Sequence, residues 1–160
     1  MRPYAVAALL AALSAPMAAQ AADYVAVTRE VSVARPADAV WKVIGEYCAL
    51  GPIIKRSCEY AGPNHDLGAT RKLEGGLEEV MVGKTAHSYT YRQTVGNFAS
   101  ADYHGTLSVE PSADGKTSTI VYHLIWDVSG LPADQRAATP ARMGGVFQGV
   151  IEQMKGLAEK

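Results

Sequence analysis

The chain has 160 residues, with 15 Lys and Arg against 16 Asp and Glu and a formal charge of −1. That length suits one domain built on one core. The near-balanced charge leaves no electrostatic footprint for nucleic acid, and no internal repeat or low-complexity tract interrupts the sequence.

The first segment reads as a signal for export. Arg2 supplies a positive start, Ala5 to Met17 is almost wholly apolar and small, and Ala19-Gln20-Ala21 is a small-residue cleavage site. The apolar run is shorter than the ~20 residues that span a bilayer as a helix, and Pro16 disfavours a stable anchor. Residues 1–21 are therefore expected to be a signal peptide, and residues 22–160 the mature domain. Cleavage near Ala21 would deliver that domain to the periplasm or outside the cell. No later stretch is apolar and long enough to cross a membrane, so no stable membrane insertion is expected.

Tyr24 to Ala34 alternates, with Val25, Val27, Val31 and Val33 on one face, as a half-buried strand does. Pro36 then suits a first helical turn, and Ala39, Val40, Val43, Ile44 and Tyr47 follow at helical spacing to about Glu46. A second short helical turn is expected over Cys48 to Ile53. Cys48 and Cys58 lie close together, and in an exported chain such a pair favours a disulfide. The competing reading is a metal or redox site, but no C-x-x-C and no nearby His pair supports it.

From Ile54 onward short strands alternate with turns. Strands are expected over 56–61, 69–73, 78–82, 88–94, 101–109 and 118–127, separated by turns such as Gly75-Gly76 and Asp114-Gly115. Regular short strands joined by tight turns imply an antiparallel meander. Thr139-Pro140 then reads as the N-cap and first residue of a long C-terminal helix, with Val146, Phe147, Val150, Ile151, Met154 and Leu157 as its apolar stripe. Gly145 and Gly149, with Gln153 next in the row, share a helix face. That row suggests close backbone approach, empty space, or loose composition.

This order, together with its local motifs, resembles the START-like or SRPBCC superfamily, and within it the bacterial polyketide cyclase/dehydrase and lipid-transport branch. The motifs are Pro36-Ala37-Asp38-Ala39-Val40-Trp41, Leu67-Gly68-Ala69-Thr70-Arg71, Ser88-Tyr89-Thr90-Tyr91, and Asp102-Tyr103 through Leu107-Ser108-Val109. The resemblance implies an α+β helix-grip fold, a curved seven-stranded antiparallel sheet around the long helix, with two short helices after the first strand. Exported members often carry cysteines at the places of Cys48 and Cys58, which also favours the bridge.

The resemblance puts Arg71, Glu78, Tyr103 and Tyr122 in an internal pocket. Alternation adds Tyr91 and Trp126, and Gln153 faces the same space from the helix. Arg71 and Glu78 would be neighbours on adjacent strands, forming either a structural ion pair or a site where Arg71 meets an anionic or carbonyl group of a ligand. The tyrosines could orient and polarise a polyketone, as in cyclases of this fold, or simply pack their rings. The four histidines have no metal spacing, and no phosphate loop or haem-attachment motif occurs, so neither metal nor cofactor is expected. Three functions follow as expectations. The first is an exported carrier for an apolar small molecule or lipid. The second is a cyclase/dehydrase-like enzyme, and the third an accessory protein acting through contacts with a protein partner.

Overall fold

A computed structural model describes residues 22–160. The signal segment, Met1–Ala21, lies outside the described residues. The alternating first segment is strand β1 (Tyr24–Val33), whose inner valines Val27 and Val33 are buried. Helix α1 (Ala37–Ile44) follows Pro36 and buries Ala37, Val40 and Ile44. The short helix α2 covers Leu50–Ile53.

Six strands follow: β2 (Cys58–Tyr60), β3 (Thr70–Leu73), β4 (Leu77–Thr85), β5 (Ser88–Val95), β6 (His104–Pro111) and β7 (Ser118–Asp127). Helix α3 (Ala133–Ala158) ends the chain. The seven strands form one sheet in the order β1-β7-β6-β5-β4-β3-β2, and every pairing is antiparallel. Alternation sorts each strand into an outer polar and an inner apolar face. Two register shifts between β4 and β5, at Glu78/Glu79 and Met81/Gly83, mark bulges. Such bulges bend the strands that carry them. The α+β helix-grip arrangement expected from the sequence is present, with α3 laid across the inner face. The core between them holds Ile44, Leu107, Ile120, Leu124, Ile151 and Met154, each fully buried.

Cys48 and Cys58 are joined by a disulfide that ties the chain between α1 and α2 to β2. By chain-entropy arithmetic, closing so short a loop contributes about 2–3 kcal/mol. Gly51 lies against the bridge, where a Cβ would sit 2.7 Å from the Cys58 Cβ.

The last helix starts earlier than the sequence suggests. Its first residue is Ala133, with Pro132 at the cap, and Pro140 lies inside it. Thr139 does not cap a start. It is buried, and its Oγ1 donates to the Gln135 carbonyl at 2.6 Å. Pro140 can offer no N–H to the turn before it. The extra turns are held from outside the ladder, since Arg136 Nε donates to the Leu131 carbonyl. Gly145 and Gly149 are exposed, and among the described residues a Cβ at either would meet no neighbour within 4 Å. The close approach in this helix is one residue earlier. The Arg29 guanidinium lies over Gly144, where a Cβ would overlap it, and its Nε donates to the Gly144 carbonyl.

Candidate functional site

Between the inner face of the sheet and α3 lies a cavity of about 770 Å³. Its sheet wall is built by Leu73 of β3, Leu77 and Glu79 of β4, and Tyr91 and Gln93 of β5. Phe98 and Tyr103, on the connection into β6, extend that wall. Met143, Phe147 and Val150 of α3 face them at helical spacing, with Val146 at the edge. The mouth is rimmed by Lys55, Arg56, Glu74 and Gly75 on one side and by Gly96 and Asn97 on another. Gly75 and Gly76 both have positive φ, 91° and 79°, which is the turn that lets β3 reverse into β4 beside the opening.

Arg71 lies beneath this wall, fully buried, and does not line the cavity. Its Nε donates to Glu79 Oε2 at 2.7 Å, and Nη2 lies 2.6 Å from the same oxygen. Its Nη1 donates to the Tyr47 carbonyl. The guanidinium carbon stands 4.2 Å from the Tyr47 ring centroid and 4.7 Å from that of Tyr91. A buried cation is thus matched by one carboxylate and three aromatic faces, the third being Tyr89 at 5.7 Å.

The partner of Arg71 is Glu79, not Glu78. Across β3 and β4, Arg71 stands opposite Glu79 and Lys72 opposite Glu78. Glu79 and Met81 point inward, and Glu78 makes a partly exposed pair with Lys72 at 3.6 Å. The expectation that Glu78 faces the pocket beside Arg71 is therefore wrong by one residue, and such a slip turns every side chain over. Gln153 is likewise not a cavity residue. It is exposed, and its amide bonds back to the Gly149 carbonyl.

Tyr91 and Tyr103 do line the cavity. The Tyr91 hydroxyl lies 3.0 Å from that of Tyr122 and 3.4 Å from that of Tyr103. Tyr122 itself packs behind, its ring 4.6 Å from Phe147. Trp126 also lies behind the wall, 6.4 Å from both Phe98 and Tyr103. Burial pushes the phenols of Tyr91, Tyr103 and Tyr122 above their ordinary range. They therefore stay neutral at physiological pH and serve as hydrogen-bond donors rather than bases.

Gly105 makes room for this tyrosine group. It stands directly opposite Tyr91, and a Cβ there would overlap the Tyr91 ring end and hydroxyl. Gly105→Ala is expected to displace Tyr91 and cost about 1–3 kcal/mol, as overpacked cores do. A lowered urea midpoint with unchanged slope would show it, and an unaltered midpoint would mean that the ring yields freely.

Glu79, Phe98, Met143, Phe147 and Val150 were not predicted as site residues from the sequence. Gln93 shares the inner face of β5 with Tyr91, so alternation on that strand would have found it. Met143, Phe147 and Val150 follow i, i+4, i+7 spacing, which would have found them. A smaller cavity of about 260 Å³ lies between α1 and the far end of the sheet, lined by Trp41, Tyr60 and Tyr89. Among the described residues no group of three or more His, Cys, Asp or Glu side chains gathers as a metal site would require. No described helix is long and apolar enough to cross a membrane.

Residues 24–159 match the profile of the polyketide cyclase / dehydrase and lipid transport family. The chain belongs to this family. The matched segment runs from β1 to the end of α3, so the cavity lies wholly within it. No curated protein matches the chain. Among solved structures, it is similar to a protein from Nitrosospira multiformis, with 19% identity and a TM-score of 0.68, over 82% of this chain and 94% of that one. It is also similar to a protein from Thermobifida fusca, with 26% identity and a TM-score of 0.67, over 81% and 90% of the two chains. A third is norcoclaurine synthase from Thalictrum flavum in complex with dopamine and hydroxybenzaldehyde. It shares 16% identity at a TM-score of 0.64, over 85% and 87%. These likenesses establish a common fold.

Proposed function

We propose that this protein is an exported carrier for an apolar small molecule or lipid, bound in the cavity between sheet and α3. The observation that carries this reading is the cavity itself. It has about 770 Å³ of space with Leu73, Leu77, Phe98, Met143, Phe147 and Val150 in its walls. Ligand sites for small molecules are concave, mostly apolar and furnished with a few placed polar groups. Membership of the polyketide cyclase / dehydrase and lipid transport family is compatible with that use. Export rests on the signal-like segment and agrees with the Cys48–Cys58 bridge, since such bonds persist in oxidising compartments. A carrier role is favoured over cyclisation because Arg71 is sealed beneath the wall and the Tyr91 hydroxyl is shared with Tyr122 and Tyr103.

The test is native mass spectrometry of the protein purified from the periplasm of its own cells. A chain beginning near Ala22 with a co-purifying apolar molecule is the expected result. The neutral dye N-phenyl-1-naphthylamine should also bind the emptied protein and brighten. An empty protein that leaves the dye dark would overturn the carrier reading, and an uncleaved cytoplasmic chain would overturn export.

A further inference from the structure

Resting on the carrier reading, we infer that the ligand carries a neutral hydroxyl head, seated between Glu79 and Gln93. These two residues are direct cross-strand partners on β4 and β5. Both are nearly buried, at 4% exposure, and both line the cavity. Each has one end fixed by the protein and one end left over.

For Glu79 the fixed end is Oε2, held by Arg71. Among the described residues Oε1 accepts no hydrogen bond, and it is not among the sealed polar atoms. For Gln93 the fixed end is Oε1, which accepts the Phe98 backbone N–H at 2.8 Å. Gly96, at φ 128°, lets the loop close over that amide, where a Cβ would come within 2.9 Å of Oε1. This bond decides which way the amide faces, so its Nε2 is the atom left over. Among the described residues Nε2 also has no partner, and it is not sealed. The cavity therefore offers one oriented acceptor beside one oriented donor.

Directly opposed residues on one face have Cβ atoms about 4.5–5.5 Å apart, so one ligand oxygen can reach both groups. A hydroxyl fits because its O–H donates to Glu79 Oε1 while its oxygen accepts from Gln93 Nε2. An ether can accept but not donate. A carboxylate has no proton to give and sets like charge against Glu79, whose own charge is already balanced by Arg71. Lys55 and Arg56 are the cations nearest the opening, and both are exposed at its rim. The apolar body of the ligand then lies along Phe98, Met143, Phe147 and Val150.

The test uses the mature protein loaded with N-phenyl-1-naphthylamine at pH 7.5 and displaced by 1-octanol, octyl methyl ether or octanoate. Octanol is expected to displace the dye at concentrations at least tenfold lower than either competitor, although the ether is the more apolar molecule. Gln93→Met is expected to bring those ratios below threefold. Glu79→Gln should do the same if it folds, and Gln93→Met carries the test if it does not. An octanol advantage below tenfold over either competitor would overturn the inference while leaving the carrier reading standing, as would ratios that Gln93→Met leaves unchanged. Failure of the dye to bind at all would remove both.

Discussion

Replacing Glu79 with leucine while Arg71 remains is expected to destabilise the fold by about 3–5 kcal/mol, the usual cost of leaving one member of a buried ion pair uncompensated. Arg71 is fully buried, and Glu79 is the carboxylate that meets it. The aromatic faces of Tyr47, Tyr89 and Tyr91 cannot replace a full negative charge, each being worth about 2 kcal/mol even when desolvated. The double variant Arg71→Met with Glu79→Leu should recover most of the loss, because an apolar pair of similar volume removes both desolvation penalties. Arg71→Met alone should cost less than Glu79→Leu, since the carboxylate left behind borders the cavity and can find water there. The Lys72–Glu78 pair, partly exposed, should contribute under about 1 kcal/mol. Urea unfolding followed by circular dichroism across this set would measure the coupling. If the double variant is no more stable than Glu79→Leu, the pair is not an isolated charge balance but part of a larger network.

That ion pair also shows where sequence reasoning reached and where it stopped. A buried arginine on the third strand was legible from Ala69, Arg71 and Leu73 alternating on one face. Its partner was misassigned because 77–82 reads Leu-Glu-Glu-Val-Met-Val, which contains no clean alternation to set the phase. The turn does set it. Glu74, Gly75 and Gly76 form a three-residue connection, so Leu73 must face Leu77 and, two rungs back, Arg71 must face Glu79. Register fixed by loop length would have given the right glutamate where hydrophobic pattern could not. The inner faces of β5 and β7 needed no such help, since Tyr89, Tyr91 and Gln93, and Tyr122, Leu124 and Trp126, are all buried as their alternation predicts.

The start of α3 was obscured for another reason. Thr139-Pro140 is a locally good helix start, and only packing of the preceding turns could reveal that the helix runs through it. The free ends of Glu79 and Gln93 were equally out of reach. Both are set by hydrogen bonds to Arg71 and to the Phe98 backbone, and no one-dimensional pattern encodes which atom of a side chain is already used.

Trp126→Ala is expected to cost about 3–5 kcal/mol, as deletion of a fully buried aromatic does. Trp126→Phe should behave quite differently. The Trp126 Nε1 is buried and has no hydrogen-bond partner among the described residues. An unmet buried donor costs about 1–3 kcal/mol. Phenylalanine removes that donor while giving up only the far edge of the indole, so the two effects oppose and the net change should stay within about 1 kcal/mol. Urea midpoints for the two variants would separate these cases. A Trp126→Phe loss close to that of the alanine variant would show that the N–H is satisfied, with a buried water as its natural partner. The same pair reports on the cavity, because Phe98 and Tyr103 rest against the indole. With alanine behind them, both rings can retreat, and the cavity should admit bulkier dyes than N-phenyl-1-naphthylamine. With phenylalanine they stay in place, and dye selectivity should match that of the unaltered protein.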